Sequence, residues 1–199
     1  MKVNNNYNSN VYLMLKAVGK VKAKYVEYKD GAGNLHAHIE RVFAYEFYRQ
    51  WANILDDRQN NPQKLSLNAE IIKGFNEETD IIDDVETKKK ICYPDMVLHR
   101  SQTDYENNEI VCEIKVLKNL TKDNLVADLT KLSCFVKKGA LFNHPYKIGV
   151  FLLVGGTLSD ISALLADSII QNIPSSNKIL LVAYKPDIEP ETTFLSNLY

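Results

Sequence analysis

Two stretches decide how this chain is read: Pro94-Asp95-Met96-Val97-Leu98-His99-Arg100 and, after a polar gap, Glu109-Ile110-Val111-Cys112-Glu113-Ile114-Lys115-Val116. Both are apolar over the length of a strand, and the polar residues Ser101 to Asn108 between them suit a hairpin loop. Pro94 fits the first position of a strand, where its missing N–H costs little. Alternation along the second stretch sets Ile110, Cys112, Ile114 and Val116 on one face and Glu109, Val111, Glu113 and Lys115 on the other. Glu113 and Lys115 therefore point the same way from a strand apolar enough to be central. An unpaired charge there costs on the order of several kcal/mol unless something neutralises it.

A hairpin folded symmetrically about Asp104 sets Asp95 directly across from Glu113, with Cβ atoms about 5 Å apart on the same face. Two carboxylates that close repel unless they share a proton or a cation. With Lys115 beside them, a hard divalent ion such as Mg²⁺ on oxygen ligands accounts for all three charges.

Outward from this pair, the pattern of Leu35 to Leu55 is helical: Ile39, Phe43, Phe47, Trp51 and Ile54 recur on one face. Glu40 projects inside that arc and Glu46 at its edge, which makes Glu40 a core-facing carboxylate and a further candidate ligand. Asn60-Asn61-Pro62 marks a turn, and Leu65, Leu67, Ala69 and Ile71 then alternate as a strand that carries Glu70. Residues Gly74 to Lys90 read as a polar insertion. Downstream, Leu125, Val126, Leu129, Leu132 and Val136 share a helical face, with Thr121 or Asp123 as N-cap of a helix over Asp123 to Lys138. Ile148 to Val154 reads as a strand buried on both faces. Gly155-Gly156 turns it into a helix over Ser159 to Ile170, and Lys178 to Tyr184 is the last strand. At the other end, Val11 to Val26 reads as an added N-terminal helix with a basic outer face. The tail from Pro186 carries no clear pattern.

The order is thus helix, three strands, helix, strand, helix, strand: an α/β chain with a mixed central sheet flanked by helices. No repeat or linker divides the 199 residues, so one domain over 1–199 is expected.

Pro94-Asp95, a hairpin, then Glu113-Ile114-Lys115 in a hydrophobic strand resembles the motif of the PD-(D/E)xK nuclease superfamily. The segments His38-Ile39-Glu40-Arg41, the strand with Glu70, Pro94 to Arg100 and Asp128-Leu129-Thr130-Lys131-Leu132 are similar to small bacterial members. The likeness spans about Leu35 to Val154. It implies a restriction-endonuclease-like core and a metal-dependent nuclease acting on nucleic acid, DNA in particular. It further implies that Asp95 and Glu113 bind Mg²⁺, with Mn²⁺ as substitute, that Glu40 completes the shell and that Lys115 activates water and stabilises charge at the phosphate. Glu70 would stand behind the ligands or at the surface of its strand, and Lys131 would touch phosphate or merely solvent.

Other readings stand beside this one. Glu113 and Lys115 would also suit a solvated pair on an edge strand, Asp95 a turn after proline, and the whole fold a binding or assembly module without turnover. His99 shares Asp95's face but reads as a strand-end polar residue. Gly155-Gly156-Thr157 lacks the lysine and spacing of a phosphate-binding loop and reads as a turn.

Composition sets the outer bounds. Hydrophobic residues make up 45% and charged residues 25%, which excludes disordered and fibrous classes. The formal net charge of −1 means that a phosphate-binding surface has to be local. Three cysteines, Cys92, Cys112 and Cys134, have no CxxC spacing, and Cys112 and Cys134, in apolar runs, read as core thiols. No leader and no membrane span is evident, so a cytoplasmic protein is expected. Such cores often cut duplexes as pairs, so a homodimer stays open.

Overall fold

The computed structural model describes residues 8–29, 35–37, 40–57, 59–69, 73–77, 88–101, 104–137 and 145–198. In chain order these form α1 (Ser9–Val18), β1 (Glu27–Lys29), β2 (Leu35–Ala37), α2 (Glu40–Leu55), β3 (Ser66–Ala69), β4 (Lys73–Glu77), β5 (Lys88–Cys92), β6 (Met96–Ser101) and β7 (Asp104–Val116). After these come α3 (Lys122–Val136), β8 (Ile148–Val154), α4 (Leu158–Ser162), α5 (Asp167–Gln171), β9 (Ile179–Tyr184) and β10 (Glu191–Phe194). A six-stranded mixed sheet runs in the order β10-β9-β8-β7-β6-β3. Its β7–β8 and β8–β9 pairs are parallel and the others antiparallel.

Side-chain alternation divides the core into two layers. Met96, Leu98, Ile110, Cys112, Ile114 and Val116 pack with α1 and α2, notably against Phe43, Phe47 and Trp51. Val97, Val111, Phe151, Leu153 and Leu181 pack on the other face with Leu125, Leu129, Leu132 and Val136 of α3. The strand β7 is covered on both faces, which is why the charges of its second face cannot simply be solvated. No helix among the described residues is long and apolar enough to cross a membrane.

Several expectations need correction. The N-terminal helix expected over 11–26 ends at Val18 with Gly19 as its cap; a 3-10 turn, Ala23–Tyr25, follows. Val11, Leu13, Met14, Leu15, Ala17 and Val18 are buried, and of the expected basic residues Lys16 lies in the helix and is exposed, while the lysines at 20, 22 and 24 lie beyond it. The core helix is described from Glu40, not Leu35, and residues 35–37 instead form β2, paired antiparallel with β1. Within the insertion expected at 74–90, β4 and β5 form a separate two-stranded sheet. The expected helix over 159–170 is two short ones, because Ala166 is extended (φ −80°, ψ 150°). The strand β10 was not foreseen. Asp187 takes positive φ (62°) in the turn before it, and Thr192, Thr193 and Phe194 are strand formers.

Gly155 and Gly156 are a turn as expected. Gly155 has φ 82°, a conformation that favours glycine, and a Cβ on Gly156 would stand 2.4 Å from Leu153 Cδ2. Thr157 then caps α4 in a reciprocal capping box with Asp160.

Glu109 belongs to the same charged face of β7 but serves the fold. Its buried carboxylate accepts from Asn8 Nδ2 and Asn10 Nδ2 at the start of α1, both at 3.1 Å, and pairs with Lys147 just before β8. Glu109→Ala leaves the buried Asn10 amide without its acceptor, and an expected loss of about 2–3 kcal/mol should appear in urea unfolding. A loss below about 0.5 kcal/mol, the scatter typical of surface changes, would mean that this clamp is not structural.

Candidate active site

The site forms where β6 begins and β7 nears its end. Pairing of Met96 with Cys112, Val97 with Val111 and Leu98 with Ile110 carries Asp95 to the level of Glu113, as the hairpin reading required. Farther out the register shifts: His99 pairs with Asn108 and Ser101 with Asp104, so the hairpin does not turn symmetrically about Asp104. Much of the expected loop is strand, because β7 already begins at Asp104 and pairs there with Ser101. Asp95 lies just outside β6, and its Oδ2 accepts the N–H of Ile114 at 2.6 Å. That bond holds the carboxylate against β7 beside Glu113.

The helix α3 supplies the facing charges. Lys131 Nζ lies 2.6 Å from Glu113 Oε2 and 3.8 Å from Asp128 Oδ1, while Lys115 Nζ lies 3.4 Å from Asp128 Oδ2. A chain of alternating charge therefore runs Glu113, Lys131, Asp128, Lys115, with Asp95 adjoining Glu113. Lys131 does not merely graze solvent, and Asp128, whose role the sequence reading missed, joins the two lysines. The available signal was the i, i+3 spacing of Asp128 and Lys131 beside the apolar stripe of α3.

Burial dominates the electrostatics. Glu113 is pushed up to about 8, first by burial and then by the Asp95 carboxylate, with Lys131 opposing both. Asp95 is also raised, chiefly by burial, while the Ile114 N–H and Lys131 pull it back and Glu40 pushes it up. Burial draws Lys131 down, yet Glu113, Asp128 and Asp95 more than offset this and its net shift is upward. Glu113 Oε1 is buried and accepts no hydrogen bond among the described residues.

Glu40 sits across a cleft of about 570 Å³ whose walls include Asp95, Met96, Ile114, Asn68, Tyr48 and Tyr45. Its Oε2 is likewise buried without a hydrogen bond among the described residues. Glu46, expected at the edge of the helical arc, is buried and held by Arg49 and Gln50. Glu70 lies outside the described residues. His99 is buried and shares a 2.8 Å hydrogen bond with Asn68 of β3, the role of a structural polar residue. Among the described residues no three carboxylate, imidazole or thiol side chains stand close enough to form a ready metal cage. Asp95, Glu113 and Lys115 are thus brought to one place. Glu40 faces Asp95 across the cleft without joining Glu113.

Comparison of the chain with protein-family models, with curated proteins and with solved structures returns no match.

Proposed function

We propose that the chain is a metal-dependent phosphodiesterase of the PD-(D/E)xK type acting on nucleic acid, with DNA the leading substrate. The observation that carries this reading is the meeting of Asp95, Glu113 and Lys115 at the end of one central strand. With Asp128, three carboxyl groups there stand with the two ammonium groups of Lys115 and Lys131, and Glu40 lies across the cleft from Asp95. The order α2, β3, β6, β7, α3, β8 agrees with the restriction-endonuclease-like core that the resemblance implies.

The excess of carboxyl groups and the orphaned Glu113 Oε1 fit a hard divalent ion, Mg²⁺ or Mn²⁺, held by Asp95 and Glu113 with Glu40 completing the shell. When bound, such an ion supplies Lewis-acid polarisation of a phosphoryl oxygen and lowers the pKa of the attacking water. The chain's own groups do the rest. Lys115 offers a compact charge to the phosphate and orients the water. The Ile114 N–H keeps Asp95 aimed, and Asp128 keeps both ammonium groups at the site.

A rival reading has a specific observation behind it: Lys131 already covers Glu113 at 2.6 Å, as a cation would, and no three-ligand cage is formed among the described residues. A nuclease-like fold so neutralised could bind nucleic acid or a protein without turnover. Titration of Mn²⁺ into the protein separates the two. Binding that disappears in Asp95→Ala, together with Mn²⁺-dependent hydrolysis, supports the phosphodiesterase. Retention of nucleic acid without hydrolysis supports the module.

A further inference from the structure

The cleft beside Asp95 has features that catalysis by Asp95, Glu113 and Lys115 does not use. Among the described residues, large hydrophobic side chains are exposed at Val42, Tyr45, Tyr93 and Ile188, and one of these four, Tyr45, lines the cleft. Tyr45, 63% exposed, lines it; Val42 stands about one turn earlier on α2; Tyr93, 54% exposed, precedes Asp95 by two residues. Arg41 lines the same wall one turn before Tyr45, is exposed and is ion-paired to no described residue. A guanidinium and an open aromatic ring at i, i+4 face one way on a helix. Tyr48 on the same wall donates its hydroxyl to the Leu67 carbonyl at 3.1 Å, which ties α2 to β3 there.

The size and charge of this place select among nucleic-acid forms. A cleft of about 570 Å³ is within the range that encloses a small molecule and suits one nucleotide. A protein that tracks a duplex gains affinity by neutralising many phosphates, and a chain of net charge −1 with one exposed guanidinium at the cleft is poorly equipped for that. Stacking on an aromatic ring needs no such field and requires a base free of its own stack.

We infer that the cleft takes one unstacked nucleotide of a single strand, its base against Tyr45 and its phosphate drawn by Arg41 toward Asp95. The inference rests on the phosphodiesterase reading and names the substrate form for that site.

The test is fluorescence anisotropy of a short labelled oligothymidylate and of the same strand in a duplex, with Ca²⁺ in place of Mg²⁺ so that the strand is held without rapid turnover. Single strand should bind tighter than duplex. Tyr45→Ala should weaken it about 5- to 100-fold, and Tyr45→Phe, which keeps the ring, should stay within about 2-fold of the parent. Arg41→Ala should weaken binding and flatten its salt dependence. Both side chains are exposed, so unchanged melting temperatures serve as the folding control. Binding to neither probe, preference for duplex, or parental affinity in Tyr45→Ala overturns the inference. The two readings fail separately. Duplex cleavage lost in Lys115→Ala but intact in Tyr45→Ala leaves the phosphodiesterase standing and removes the single-strand cleft. Tyr45-dependent binding without Lys115-dependent cleavage keeps the cleft and removes the catalysis.

Discussion

Lys115→Ala is expected to lower Mn²⁺-dependent cleavage by about 10²–10³-fold, the loss typical of removing one preorganised group that stabilises transition-state charge. The fold should tolerate it. Lys115 keeps partial contact with solvent, and its 3.4 Å approach to Asp128 lacks the tight geometry of the Lys131–Glu113 pair. Losing this pair, whose side chains are 20% and 15% exposed, should lower the melting temperature, but by less than losing the 2.6 Å Lys131–Glu113 contact, because Asp128 keeps Lys131 at 3.8 Å. Lys131→Ala gives the contrasting result. It strips Glu113 of its 2.6 Å partner, so the metal-free protein should melt earlier and Mn²⁺ should restore more of the lost stability. Cleavage and melting of the two variants, measured side by side, decide the roles. If Lys131→Ala abolished cleavage and Lys115→Ala did not, the two lysines would have to exchange places in the mechanism. Full activity in both would remove the phosphodiesterase.

The pH dependence of metal binding provides the second large effect. Glu113 titrates near 8 in the folded chain against 4.5 for an ordinary glutamate, so folding favours its protonated form. Its contribution to stability is therefore fully present below pH 4.5 and is lost as pH rises through about 8. Asp95, also raised, acts in the same direction. Lys131, held up, stays charged through this window. Glu113→Gln imitates the protonated form, so at pH 8 and without metal it should exceed the parent in stability by on the order of 3 kcal/mol. At pH 4 the two should melt together. A divalent ion competes with the same proton, so Mn²⁺ affinity should fall by roughly 50-fold from pH 8 to pH 6, read by titration calorimetry. Glu113→Gln should bind no Mn²⁺ at either pH. Mn²⁺ affinity independent of pH, or intact in Glu113→Gln, would show that Glu113 is not a ligand.

Most of what bears on the candidate site was legible locally. The alternation of Ile110, Cys112, Ile114 and Val116 against Val111, Glu113 and Lys115 identified both faces of β7, because a strand has period two and its core faces are apolar. The register that sets Asp95 at Glu113 agrees with the expected one, although the symmetric turn about Asp104 from which it was read does not form and the ladder shifts farther out. Elements that end for non-periodic reasons were not. The end of α1 at Val18 and the break at the extended Ala166 are features that hydrophobic spacing does not encode.

By itself the sequence determined that a charged face runs along a buried strand and that Asp95, Glu113 and Lys115 share it. These are facts of periodicity, and periodicity is local. The tertiary structure alone decided which partners those charges meet. It set Lys131 and not Lys115 on Glu113, made Asp128 the bridge and assigned Glu109 to the clamp on α1. Such pairings depend on the distance and rotation between a helix and a strand that are far apart in the chain. Packing of Leu125, Leu129 and Leu132 against the sheet sets that geometry for α3, and no spacing within either segment contains it.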